Sequence, residues 1–326
     1  MDPERTGTIA AASAPARRSA ARASDLVSVA PLGIPLHIEL GPGVDADAVR
    51  AACRGWEGPA EHGEAPIRLR LERDPGLSGT SEPRILVEGR GVRVTGPGAE
   101  GRARVDARAG RCEVSDAWFA APDRLRDEVL EPLVLFVLAH HDRTPIHASA
   151  FIAGDVAILT SGSSGAGKSS LALAADRAGW PVLSDDTVYL QQQRRFRIWG
   201  FPHAAHLLPR DCDDAAAATR TRNGQVKRAV PFRATKLGMV SAERATLCVL
   251  KRGSRVALEP LDAAEAIRRL GPLEPGFDLF ARESAEALAF LTANGAWLLT
   301  LSEDPSEAIA LLAANLPRLH ATAAPQ

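Results

Sequence analysis

The sequence predicts an α/β fold in which a small β-rich (α+β) domain, residues 31–120, precedes a larger domain of strands and helices, residues 145–320. Three observations carry that expectation. Short apolar segments between Gly/Pro turns fill the front third of the chain. A stripe of apolar residues at intervals of three and four follows. The apolar run Val156 to Thr160 then enters a glycine-rich loop and an amphipathic helix.

Taken in order, residues 1–30 are dominated by Ala, Ser and Arg and read as a disordered tail. From about Leu32 to Asp116 the pattern is extended. Ile67 to Leu71 alternates apolar and charged residues, while Arg84 to Val87 and Val92 to Val94 gather apolar residues between turns. One helix interrupts, beginning at Asp45 or Asp47 and reaching Cys53. Pro122 opens a connecting helix within 121–144, with Leu125, Val129, Leu133, Phe136 and Val137 on one face. Pro132 should kink it, because the ring removes an N–H and crowds the preceding turn. Residues 146–152 and 156–160 read as a hairpin around Gly154-Asp155. Beyond the glycine-rich loop, Leu171, Ala174, Ala175 and Ala178 share a helix face that Gly179 ends. Val182-Leu183 begin a strand that finishes at Asp185-Asp186, with further strands at 187–191, 195–201 and 245–251. Three helices close the chain, at the capping pair Asp262/Glu265, at about 283–294, and after Asp304-Pro305.

Composition excludes some functions. A formal net charge of −1 over 326 residues gives no bulk attraction to nucleic acid or an anionic membrane. The apolar stretch Leu133 to Ala139 is far too short to span a bilayer. Cys53, Cys112, Cys212 and Cys248 form no C-x-x-C pair and lack zinc spacing. Such sparse cysteines suit a cytoplasmic protein that uses them as small core hydrophobes.

The chemistry lies in Gly162-Ser163-Ser164-Gly165-Ala166-Gly167-Lys168-Ser169, which fits the Walker A pattern G-x-x-x-x-G-K-[ST] at every required position. Glycine lets the backbone adopt conformations closed to other residues and approach phosphate closely. N–H groups from about Gly165 to Ser169 should then line an anion-binding concavity at a helix N-terminus. Lys168 supplies an ammonium for the β- and γ-phosphates, and the Ser169 hydroxyl can ligate Mg²⁺. ATP and Mg²⁺ are therefore the expected ligands. Asp185-Asp186 follow one strand–loop–helix–strand unit later, which should bring both carboxylates to the same edge of the sheet. One could hold Mg²⁺ and the other accept a proton from an attacking hydroxyl. His147 precedes the loop strand and reads equally as a structural residue or a neighbour of the nucleotide. Between Arg210 and Lys236 several cations follow an acidic stretch, as in a mobile loop carrying charge to phosphate or to an acidic peptide.

Together, Ile146-His147-Ala148-Ser149-Ala150, the loop Gly162 to Ser169, Ala178-Gly179-Trp180 and Leu183-Ser184-Asp185-Asp186 resemble the catalytic core of the HPr kinase/phosphorylase family over about residues 146–190. The resemblance implies a P-loop kinase domain akin to phosphoenolpyruvate carboxykinase, and a serine kinase activity. It makes Asp185 the general base for the acceptor serine, gives Asp186 to the metal, and sets His147 beside the active site. Ser170, directly after the loop, joins the nucleotide-binding set. The chain is most similar to divergent homologues found with lasso peptides, which phosphorylate a serine at the precursor's C-terminus. Lys227 and Arg228 would then hold peptide or phosphate.

Three readings stay open on sequence: a kinase of a peptide or protein serine, a small-molecule kinase, and a nucleotide-gated binding protein without transfer. The front domain could serve any of them as a partner-docking module or an oligomer contact.

Overall fold

The computed structural model describes residues 26–78, 84–201, 204–207, 218–222, 225–232, 240–270 and 278–324. The fold is mixed α/β, with four sheets among the described residues.

The front sheet holds β1 (Leu26–Val29), β2 (Leu36–Leu40), β3 (Ile67–Arg73), β4 (Arg84–Glu88), β5 (Gly91–Gly96), β6 (Ala99–Arg104) and β7 (Ala109–Val114). Their order is β1-β2-β3-β7-β6-β5-β4, with β2, β3 and β7 parallel. Period-two patterning decides which side is buried: Ile67, Leu69 and Leu71 point inward while Arg68 and Arg70 face water. Between β2 and β3 runs α1 (Ala46–Ala52), capped by the Asp45 carboxylate, which accepts from the N–H groups of Asp47 and Ala48. The tail is shorter than expected, since Leu26–Val29 already pair with β2; residues 1–25 lie outside the described residues.

The connecting helix is α2 (Pro122–Leu125), a π-turn (Arg126–Leu130) and α3 (Glu131–Ala139). The kink expected at Pro132 appears as that π-turn, in which the Glu131 N–H reaches the Arg126 carbonyl. Proline cannot donate to the carbonyl four residues back, and a widened turn makes room for its ring. Leu133, Val134 and Val137 bury against the inward face of the front sheet.

The remaining elements are β8 (Thr144–His147), β9 (Ser149–Ala153), β10 (Val156–Ser161), α4 (Lys168–Arg177), β11 (Val182–Ser184), β12 (Thr187–Gln191), β13 (Arg197–Gly200), β14 (Ala204–Leu207), β15 (Ala218–Arg222), β16 (Gln225–Pro231), β17 (Val240–Ala242), β18 (Ala245–Arg252), β19 (Ala257–Leu261), α5 (Ala263–Leu270), α6 (Ala281–Leu291), β20 (Ala296–Leu301), α7 (Pro305–Ala314) and α8 (Leu316–Thr322). One sheet has the order β11-β9-β10-β18-β20-β19, a second β17-β13-β12-β8, and a third β14-β16-β15. β10 is parallel to β18, and β18 to β20, so their carboxyl ends share one edge.

Three expectations change. The strand expected over 146–152 is two strands: β8 pairs with β12, and after Ala148 the chain crosses to pair β9 with β10. Part of the expected mobile loop is ordered, because β15 and β16 form a hairpin that joins β14; Arg210, Arg233 and Lys236 lie outside the described residues. β20, buried over Ala296–Leu299, lacked the alternation that marks a half-exposed strand. Cys53, Cys112 and Cys248 are buried free thiols, and burial pushes the Cys53 thiol up to about 12. No helix among the described residues is long and apolar enough to cross a membrane.

Candidate active site

The loop after β10 turns tightly. Gly165 and Gly167 have φ of +80° and +109°, a region costly for residues with a Cβ. At Gly162 a Cβ would stand 3.2 Å from the Ala166 methyl, and at Gly167 one would stand 2.9 Å from Leu301 Cδ1. The Ala166 N–H is used within the loop, donating to the Ser163 carbonyl at 3.0 Å. It therefore drops out of the expected row of anion-binding N–H groups. Ser163 and Ser164 are exposed, and Ser170 is half-buried on the first turn of α4.

Lys168 begins α4 and is only 8% exposed; its Nζ donates to the Gly162 carbonyl at 2.7 Å. The ammonium is thus folded back over its own loop. Next to it, Ser169 Oγ donates to Asp185 Oδ2 at 3.2 Å. β11 runs antiparallel to β9, as β10 does, so its end brings Asp185 to the edge where the loop lies. The same Oδ2 accepts the His206 N–H at 2.9 Å and lies 3.4 Å from His206 Nδ1. Asp186 is the more open acid, with its Oδ1 3.5 Å from His147 Nδ1. Its backbone is fixed by Ser184, whose Oγ accepts the N–H groups of Asp186 and Thr187. Ser161 Oγ donates to the His147 carbonyl, which ties the end of β8 to the start of the loop.

The fold thus gathers His147, Lys168, Ser169, Asp185 and Asp186 at one edge. The contacts cross the expected roles. Asp185, expected as the base, meets the Ser169 hydroxyl expected at the metal, and Asp186, expected at the metal, meets the His147 ring. Lys227 is half-buried on β16, two residues before Ala229, the register partner of His206.

Two neighbours went unread in the sequence. His206 touches Asp185 from β14, and no local pattern marked it. Arg252 ends β18, beside the loop strand, with its Nη2 3.1 Å from where a Gly167 Cβ would stand and its Nη1 donating to the Ser302 carbonyl. Its position directly after the expected strand 245–251 was a usable signal.

The site fits a magnesium–nucleotide ligand chemically. It offers a hydroxyl and carboxylate oxygens, a lysine at a helix N-terminus, and a loop whose glycines leave space at the backbone. Among the described residues no cluster of three or more His, Cys, Asp or Glu forms a cage, so a cation here would share its ligands with phosphate and water.

No family model matches the chain, and no curated protein matches it. Among solved structures, the Hpr(Ser) kinase/phosphatase from Coxiella burnetii is similar over 54% of this chain and 97% of its own, at 14% identity and a TM-score of 0.28, which is a distant likeness.

Proposed function

We propose that the chain is an ATP- and Mg²⁺-dependent kinase that transfers a phosphoryl group to the hydroxyl of a peptide or protein. One observation carries the reading: the Ser169–Asp185 contact beside a glycine loop whose lysine opens α4. In this reading Lys168 leaves the Gly162 carbonyl to meet phosphate oxygens, and loop N–H groups bind the remaining negative charge. Magnesium, held by Ser169 and a carboxylate, would neutralise charge on the phosphates. The acceptor oxygen forms the new bond to phosphorus as the bond to ADP breaks, and the hydroxyl proton passes to a carboxylate.

Asp185 as proton acceptor and Asp186 as metal support is the division implied by the family resemblance. A specific observation favours the exchange. Asp185 Oδ2 already faces Ser169 Oγ, the His206 N–H and the His206 ring, which suits a metal-side acid better than a base. Asp186 with His147 would then take the proton. The acceptor to try first is the C-terminal serine of a lasso-type precursor peptide.

Incubation with Mg-ATP and serine peptides, followed by mass spectrometry, tests the proposal. A phosphoserine product supports it. ADP release to a metabolite but to no peptide would establish the small-molecule reading, and nucleotide binding without any product the sensor reading.

A further inference from the structure

An apolar groove of about 240 Å³ lies between the front sheet and the β8–β12 pair. Ile85 and Val87 of β4 form one wall, Leu135 and Phe136 of α3 another, and Pro145 and Tyr189 a third. The topology explains why it is open. α3 packs with Val92 and Val94 of β5, but β4 is the outermost strand, so Ile85 and Val87 continue that face past the helix. Ile85 is 56% exposed and Leu86 50%. Edge strands are ordinarily blunted by charge, proline or a bulge. β4 presents Ile85-Leu86-Val87 between the charged ends Arg84 and Glu88, and its outer edge has no strand partner among the described residues.

The groove leads to the candidate site. In the β8–β12 register Tyr189 faces Pro145 and Thr187 faces His147, and directly paired residues share one face of a sheet. Thr187 ends the groove, and its register partner His147 meets Asp186. Pro145 and His147 are two residues apart on one strand, about 7 Å.

We propose that this groove docks the acceptor. An extended polypeptide adds to the outer edge of β4, sinks a bulky apolar side chain between Ile85, Val87, Leu135 and Phe136, and so brings its hydroxyl to His147 and Asp186. The volume is below the roughly 300–1,000 Å³ of small-molecule sites and suits one or two side chains. An open strand edge pairs with the main chain of a peptide, while alternate side chains fill pockets. Continuity with His147 selects the acceptor over an unrelated partner. The inference rests on the kinase reading of the Lys168 loop.

The test is an oriented library of serine peptides with randomised flanks, phosphorylated with Mg-ATP and sequenced. Leu, Ile or Phe should be selected at a fixed offset from the serine. Ile85→Lys, at an exposed position, should erase that selection and raise the peptide KM at least about tenfold, the worth of one buried apolar side chain. Leu86→Lys, on the opposite face of β4, should keep it. An unchanged selection in Ile85→Lys, or no apolar preference in the parent, overturns the proposal. So does a dimer that Ile85→Lys splits without altering peptide choice, which would assign the groove to a second copy. Peptide phosphorylation without the apolar selection sinks the docking site alone; nucleotide binding with no peptide phosphorylated sinks the peptide-kinase reading with it.

Discussion

Two buried cations in this molecule are held in opposite ways. Arg143 is fully buried where the front sheet meets the β12–β13 pair. Its Nε donates to the Leu32 carbonyl at 2.8 Å, Nη1 to the Asp142 carbonyl at 2.9 Å and Nη2 to Glu61 at 3.2 Å, and it lies over the Trp199 ring. Glu61 in turn accepts from Gln191, which accepts from the Trp199 indole. Burial pulls the Arg143 pKa down, and the neighbouring carboxylates oppose that shift. Lys168 instead donates to a carbonyl of its own loop, at the open edge of a sheet. Arg143 is embraced by fixed groups from distant parts of the chain and acts as a structural rivet. Lys168 rests on a loop that an anion could take over.

Substitutions can break or sharpen that contrast. The largest effect should come from the acids beside Lys168: Asp185→Asn and Asp186→Asn should each cost about 10²–10⁴ in turnover. The one that removes metal support should also weaken binding of Mg-ATP but not of metal-free ATP, and so assign the roles. Equal loss of magnesium dependence in both would remove the division of labour. Arg143→Ala should cost about 2–5 kcal/mol of stability, because it empties a fully buried site and leaves the Leu32 and Asp142 carbonyls without their donor, while Glu61 keeps Arg197. A thermal midpoint near that of the parent would dismiss Arg143 as a rivet. Gly200→Ala should cost about 1–3 kcal/mol, since the new methyl would press directly on the Leu183 carbonyl. That strain reaches β11, which ends just before Asp185, so activity should fall with stability; a fully active variant would show that the strand tolerates the shift. Arg252→Ala should weaken ATP binding about tenfold, as for one charge-assisted hydrogen bond, and leave the melting curve in place. An unchanged ATP affinity would leave Arg252 as a brace on Ser302.

The loop was legible because the chemistry expected of it needs fixed residue types at fixed spacing. Asp262 and Asp304 were legible as caps for the same reason, and Asp45 as one of two candidates with Asp47: each of the three side chains accepts a backbone N–H within three residues. The failures involve contacts distant in sequence. His206 meets Asp185 across 21 residues, and Arg143 meets Glu61 across 82. The break at Ala148 was hidden because both halves of 146–152 are strand; which sheet each joins depends on partners in β10 and β12. α4 is buried on more than the expected stripe, Leu173 included, because β14 lies against a face that a lone helix would leave to water.

Calorimetric titration of ATP, with and without magnesium, into the parent chain and into Lys168→Ala tests most directly whether the glycine loop is a phosphate cup. The account requires heat of binding that magnesium strengthens in the parent and that the alanine variant, folded by its melting curve, loses by at least about a hundredfold in affinity. Equal binding by the two proteins, or none by the parent, would contradict it.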